Sequence, residues 1–142
     1  MARFLLAWLV LASVALLGGP GGSGAAESAR VGREFKVRVG QVVTFGGESL
    51  RLRFREVAED SRCPVGVACV WAGNAEVMLE VGGRRGGLKR TLKLNTNASS
   101  QKAGEGKYGR FTIKLVELNP RPSREGKIAA GGYTATLLVV KD

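Results

Sequence analysis

The sequence predicts an all-β protein, an antiparallel β-sandwich of about seven or eight strands, Ig-like or opened into a partial barrel. Three observations carry this. From Glu34 onward apolar and polar residues alternate with a period of two, which half-buries one face of a strand. No long window shows the apolar stripe of an amphipathic helix. Turn-forming glycines punctuate the chain at roughly ten-residue spacing, as in sandwiches and barrels.

Phe35, Val37 and Val39 alternate with Glu34, Lys36 and Arg38, and Gly40 ends the run. Val42 to Phe45 forms a second short strand, closed by Gly46 and Gly47. Leu50, Leu52 and Phe54 alternate with Arg51, Arg53 and Arg55; Val57 then falls out of phase, so a bulge or strand end is expected near Glu56. Ala75, Val77, Leu79 and Val81 face inward on the next strand, and Gly82 to Gly87 reads as its hairpin connection. The return strand is Leu88 to Leu94, with Arg90 breaking its apolar face. Residues 95–109 are expected to be a polar loop. Phe111, Ile113 and Leu115 define another strand, stopped by Asn119-Pro120-Arg121-Pro122-Ser123 because proline cannot donate to a ladder. Tyr133, Ala135, Leu137 and Val139 mark the last strand.

Before this domain, Arg3 and the uncharged run Phe4 to Leu17 have the form of a secretory signal peptide. The run is shorter than the about 20 residues of a membrane-spanning helix. Cleavage after Ala25 or Ala26 fits the small residues there, with an uncleaved N-terminal anchor as the alternative. Residues 1–26 are thus expected to be a leader, 27–33 a flexible segment and 34–142 one domain, secreted or periplasmic. No cysteine follows the apolar run to accept a lipid. The leader holds one of the 22 basic residues, against 12 acidic ones in the whole chain, so the mature domain is strongly positive and suits anionic partners.

Glu59 to Ala75 is the most constrained stretch. Cys63 and Cys69 lie six positions apart, and in an oxidising compartment such a pair is most simply a disulfide. Closing so small a ring contributes about 2 kcal/mol by loop entropy. Asp60 and Ser61 suit turns, Pro64 restricts one dihedral and Gly66 permits a bend. If a strand begins near Cys69, Trp71 shares its face and covers the bridge, and Gly73 marks a bulge or close backbone approach. Redox use is the alternative, although thioredoxin-like motifs place two residues, not five, between the cysteines. A zinc site lacks ligands, because the chain has no histidine and no further cysteine.

Asp60-Ser61-Arg62-Cys63-Pro64, followed by Cys69, Trp71, Gly73 and Ala75, resembles a motif of small bacterial exported or lipid-anchored all-β proteins. The resemblance implies an exported all-β fold and carries no activity with it. The leader here differs from lipid-anchored members in lacking a cysteine.

Histidine-dependent triads are excluded in their usual form. Gly82 to Gly87 lacks the lysine and hydroxyl residue of a phosphate loop. Glu56, Glu59 and Asp60 form an acidic cluster without the spacing of a calcium loop, and a role offsetting nearby arginines is the simpler reading. Lys36, Arg38, Arg51, Arg53 and Arg55 are expected to form a basic stripe if their strands are neighbours. Arg84, Arg85, Lys89, Arg90 and Lys93 crowd the hairpin. Phe35, Phe54 and Phe111 fall on the apolar face, which disfavours nucleic acid. Asn97-Ala98-Ser99 matches a glycosylation pattern by chance.

The resulting expectation is a non-enzymatic envelope module, without cofactor or metal, that binds a partner protein or an anionic polymer. An inhibitor of a secreted hydrolase acting through the stapled loop, or a carboxylate- or metal-dependent enzyme, are the alternatives.

Overall fold

A computed structural model describes residues 27–99 and 103–142. The leader and its cleavage site lie outside these residues. Nine strands build two sheets, with no helix among the described residues. In chain order they are β1 (Glu27–Ala29), β2 (Glu34–Arg38), β3 (Val42–Phe45), β4 (Arg51–Asp60), β5 (Ala75–Gly83), β6 (Gly87–Asn95), β7 (Glu105–Tyr108), β8 (Phe111–Asn119) and β9 (Thr134–Lys141). One sheet has the order β1-β3-β4-β5-β6 and the other β2-β9-β8-β7. The architecture is a β-sandwich, not a closed barrel, and every pairing except the parallel β1–β3 pair is antiparallel.

The inward residues are those the alternation selects. Val37, Val43, Leu52, Phe54, Val77, Leu79, Val81, Ile113, Leu137 and Val139 are completely enclosed. Burial of a side chain such as Phe54 contributes about 2–3 kcal/mol, which stabilises the two-layer arrangement over separate sheets. Phe35 of β2 meets Phe45 of β3 edge to face at 5.4 Å, tying the edge strand of one sheet to an inner strand of the other.

Two strands lie outside the sequence-based pattern. β1 occupies part of the segment expected to be flexible, pairing with β3 and burying Ala29. Its three residues are too short to display a period. β7 occupies part of the expected loop. Its Gly106 lies against Leu92 and Leu94 of the other sheet, where any side chain would be crowded.

The irregularity near Glu56 is a pair of register shifts, between Phe54 and Glu56 and between Val57 and Glu59. These let β4 continue to Asp60 while its twist increases. A third shift between Leu115 and Glu117 leaves Val116 exposed and returns Leu118 to the core. Arg90 stands opposite Val81, an inward register position, but at the sheet margin, where its side chain is exposed.

Candidate functional site: the stapled loop

The β4–β5 connection leaves and re-enters the sandwich as a narrow neck. Ser61 N–H donates to the Asn74 carbonyl at 2.7 Å, Ser61 Oγ bonds the Asn74 backbone, and Cys63 N–H donates to the Ala72 carbonyl at 3.1 Å. Gly73, with φ of 69°, belongs to this neck. A Cβ there would overlap the Ser61 carbonyl oxygen, so the close approach anticipated at Gly73 is a contact between the neck's two limbs. Cys63 and Cys69 are joined in a disulfide across the loop, with Cα atoms 5.9 Å apart. Within the ring, Val67 N–H donates to the Pro64 carbonyl at 3.2 Å, and Val65 N–H reaches the Pro122 carbonyl at 2.9 Å.

Asp60 and Arg62 clamp this loop to the opposite sheet. Asp60 Oδ1 accepts from Arg62 Nε at 2.8 Å and Oδ2 from Arg62 Nη2 at 2.7 Å, a bidentate pair. The rest of the guanidinium donates to the Leu118 carbonyl at 2.6 Å and the Pro120 carbonyl at 2.8 Å, beside the cis Asn119–Pro120 bond. Tyr133, entering β9, donates to Asp60 Oδ2 at 3.2 Å. The two charged side chains are largely enclosed. Burial opposes ionisation of Asp60, but the hydrogen bonds and charge of Arg62 outweigh it and hold the carboxyl below its ordinary value. Burial and the Asp60 charge push the Tyr133 phenol up.

A second anchor is a set of asparagines. Asn74 Nδ2 donates to Asn95 Oδ1 at 2.8 Å inside the protein, and Asn74 Oδ1 accepts from Asn97 N–H at 3.0 Å. Asn95 Nδ2 donates to the Ala103 carbonyl, and Asn97 Nδ2 to the Gly73 carbonyl. Asn74, Asn95, Asn97 and Tyr133 were not singled out by the sequence as members of one site, since their partners are distant along the chain.

What this scaffold presents is apolar. Val70 is 90% exposed, Trp71 81% and Val65 59%. Trp71 does not cover the bridge: β5 begins only at Ala75, and the Cys63–Ala72 bond and the Gly73 turn direct the intervening chain outward. Compared with known proteins, the chain matches no family profile, no curated protein and no solved structure significantly.

The basic stripe does not form. β2 and β4 belong to different sheets, so Lys36 and Arg38 project from one outer face and Arg51, Arg53 and Arg55 from the other. Arg53 pairs with Glu80 across β4–β5, and Arg55 with Glu56 at 3.4 Å. Lys36 and Arg38 instead line an open concavity of about 890 Å³ with Thr134 and Thr136. Arg84 and Arg85 lie on the β5–β6 hairpin and Lys89 just after it, at the end of the sandwich away from the stapled loop. Lys93 pairs with Glu76 at 2.7 Å.

Of the acidic cluster, Asp60 spends both oxygens on Arg62 and Tyr133, and Glu56 and Glu59 are exposed on β4. The Cys63–Cys69 disulfide is compatible with an extracellular or periplasmic location. No helix among the described residues is long and apolar enough to cross a membrane.

Proposed function

We propose that this protein is an exported, non-enzymatic binding module of the cell envelope, secreted or periplasmic after leader cleavage, that engages a partner protein through the tip of its stapled loop. One observation carries the reading: Val70 and Trp71 are 90% and 81% exposed on a loop held at its neck, its ring and its clamp. Exposed tryptophans in fixed positions are favourable interface anchors, because they bury a large area on binding while little conformational freedom is lost. The resemblance of the Asp60–Ala75 motif to small exported all-β proteins supports the compartment.

A photo-crosslinking residue in place of Trp71 tests this in the organism's exported fraction. One discrete protein adduct is expected at position 71, absent at the control position Arg51 and reduced when Val70→Ser is added. The same adducts at positions 71 and 51 would count against the reading.

The exposure of Val65, Val70 and Trp71 and the cross-linking of the loop also favour a narrower form, an inhibitor whose loop enters the cleft of a secreted hydrolase. In that form reduction of the disulfide weakens inhibition, and affinity for the hydrolase survives substitution of basic residues elsewhere.

A further inference from the structure

Beyond the loop, the opposite end of the sandwich carries a second feature that no single strand reveals. Four turns and the C-terminal strand meet there. Gly46 N–H donates to the Ala29 carbonyl, placing Arg30 beside the β3–β4 turn, and Arg84 N–H donates to Ser49 of that turn at 3.4 Å. Gly32 N–H donates to the Val139 carbonyl at 2.7 Å, bringing Arg33 to the end of β9, and Asp142 N–H donates to the Arg110 carbonyl at 2.9 Å. Lys141 reaches back to Glu48 at 2.8 Å. Arg30, Arg33, Arg84, Arg85, Lys89 and Arg110 are therefore collected at one pole from segments far apart in sequence, and all six are exposed.

None of the six makes an ion pair among the described residues. The acids nearby are engaged elsewhere or few: Glu48 is held by Lys141, Asp142 faces Lys107 at 3.5 Å, and Glu34 follows Arg33 into β2. The large exposed apolar side chains among the described residues, Val65, Val70, Trp71 and Val116, do not belong to these turns. This pole thus offers charge without a wedge for lipid or a platform for stacked bases. Five of the six cations are arginines, whose planar forks match phosphate oxygens two at a time.

We propose that this pole is a binding site for a linear phosphate polymer lacking stacked bases, such as a polyphosphate or an envelope polyol-phosphate chain. It is independent of the loop. β5 enters from the loop at Ala75 and leaves for the hairpin at Gly83, so the two sites are separated by roughly 25 Å or more at about 3.3 Å per residue. A molecule tethered by this pole holds Trp71 away from the polymer.

The test measures binding of the exported protein to inorganic polyphosphate across a salt series. Two triple variants that remove equal charge are compared, with circular dichroism confirming their strand content: Arg84→Ala/Arg85→Ala/Arg110→Ala at the pole and Lys36→Ala/Arg38→Ala/Arg55→Ala on the sheet faces. Losing three contacts at about 0.7 each lowers the slope of log K against log salt by about 2, roughly a hundredfold in affinity near 0.1 M salt. That loss is expected for the pole variant, with less than about threefold for the face variant. Equal losses, or no binding by the unaltered protein, would overturn the site. Polyglutamate of matched length binding as tightly would overturn the phosphate assignment. An oligodeoxynucleotide of matched phosphate number binding more tightly would overturn the exclusion of bases. Each outcome leaves crosslinking at Trp71 unaffected, so the two readings fail separately.

Discussion

Asp60 and Arg62 stand two positions apart, yet their bidentate pair joins opposite sheets, because the guanidinium continues to the carbonyls of Leu118 and Pro120. Asp60 ends β4 in one sheet, and Leu118 lies near the end of β8 in the other. The motif residues thus act in cross-sheet attachment before they act in any recognition.

Removing the cation alone leaves the enclosed Asp60 carboxylate uncompensated. Arg62→Met is expected to cost about 3 kcal/mol in urea unfolding at neutral pH. Asp60→Asn/Arg62→Met is expected to recover part of that loss, because the buried charge disappears with its partner. A double variant no more stable than the single one would show that lost packing, and not unpaired charge, dominates.

Stability should also depend on pH through this group. The native Asp60 value lies below the ordinary 3.8, so the unfolded chain binds the proton first as pH falls. Its contribution is complete above the ordinary range and is lost as pH drops below about 5 and through the depressed native value. Tyr133 has the opposite sign: raised above 10.0, its contribution is present below that value and lost as pH rises through the native one. Unfolding curves across pH should show a smaller acid decline for Asp60→Asn and a smaller alkaline decline for Tyr133→Phe.

Gly73→Ala tests the neck. Its Cβ would meet the Ser61 carbonyl in a positive-φ conformation, so either the Ser61–Asn74 bonds open or the backbone shifts. A loss of more than about 1 kcal/mol is expected, with faster amide exchange at Ser61 and Cys63. Unchanged exchange at both amides would mean that the neck does not hold the loop.

The buried Asn74–Asn95 bond predicts an asymmetry. Asn95→Ala leaves the Asn74 amide without its acceptor and should cost about 1–3 kcal/mol in denaturant unfolding. Asn97→Ala, at an exposed position, should cost less.

Trp71 should behave as a surface residue for stability and as an anchor for binding. Trp71→Ser is expected to change stability by no more than about 0.5 kcal/mol. Trp8 and Trp71 are the two tryptophans of the chain, so residues 27–142 report Trp71 alone by fluorescence. Red-shifted, quenchable emission is expected in the free protein, with a blue shift when a partner binds.

The strand class and most of the core were legible in the sequence, because a period-two pattern is local: Leu52 and Phe54, or Val77 and Leu79, declare their common face within a few residues. β1 and β7 were not, since Ala29 and Gly106 acquire meaning only against residues of other strands. The site divides the same way. The proximity of Cys63 and Cys69 and the bend at Gly73 are written in the chain, whereas the direction of Trp71 depends on where β5 starts. Alternation assigns Lys36 and Arg51 to outward positions, but sheet membership puts them on opposite faces and gathers Arg30, Arg84 and Arg110 at one end. Patterning determines which side of a strand meets water; only the pairing of distant strands determines which exposed residues share a surface.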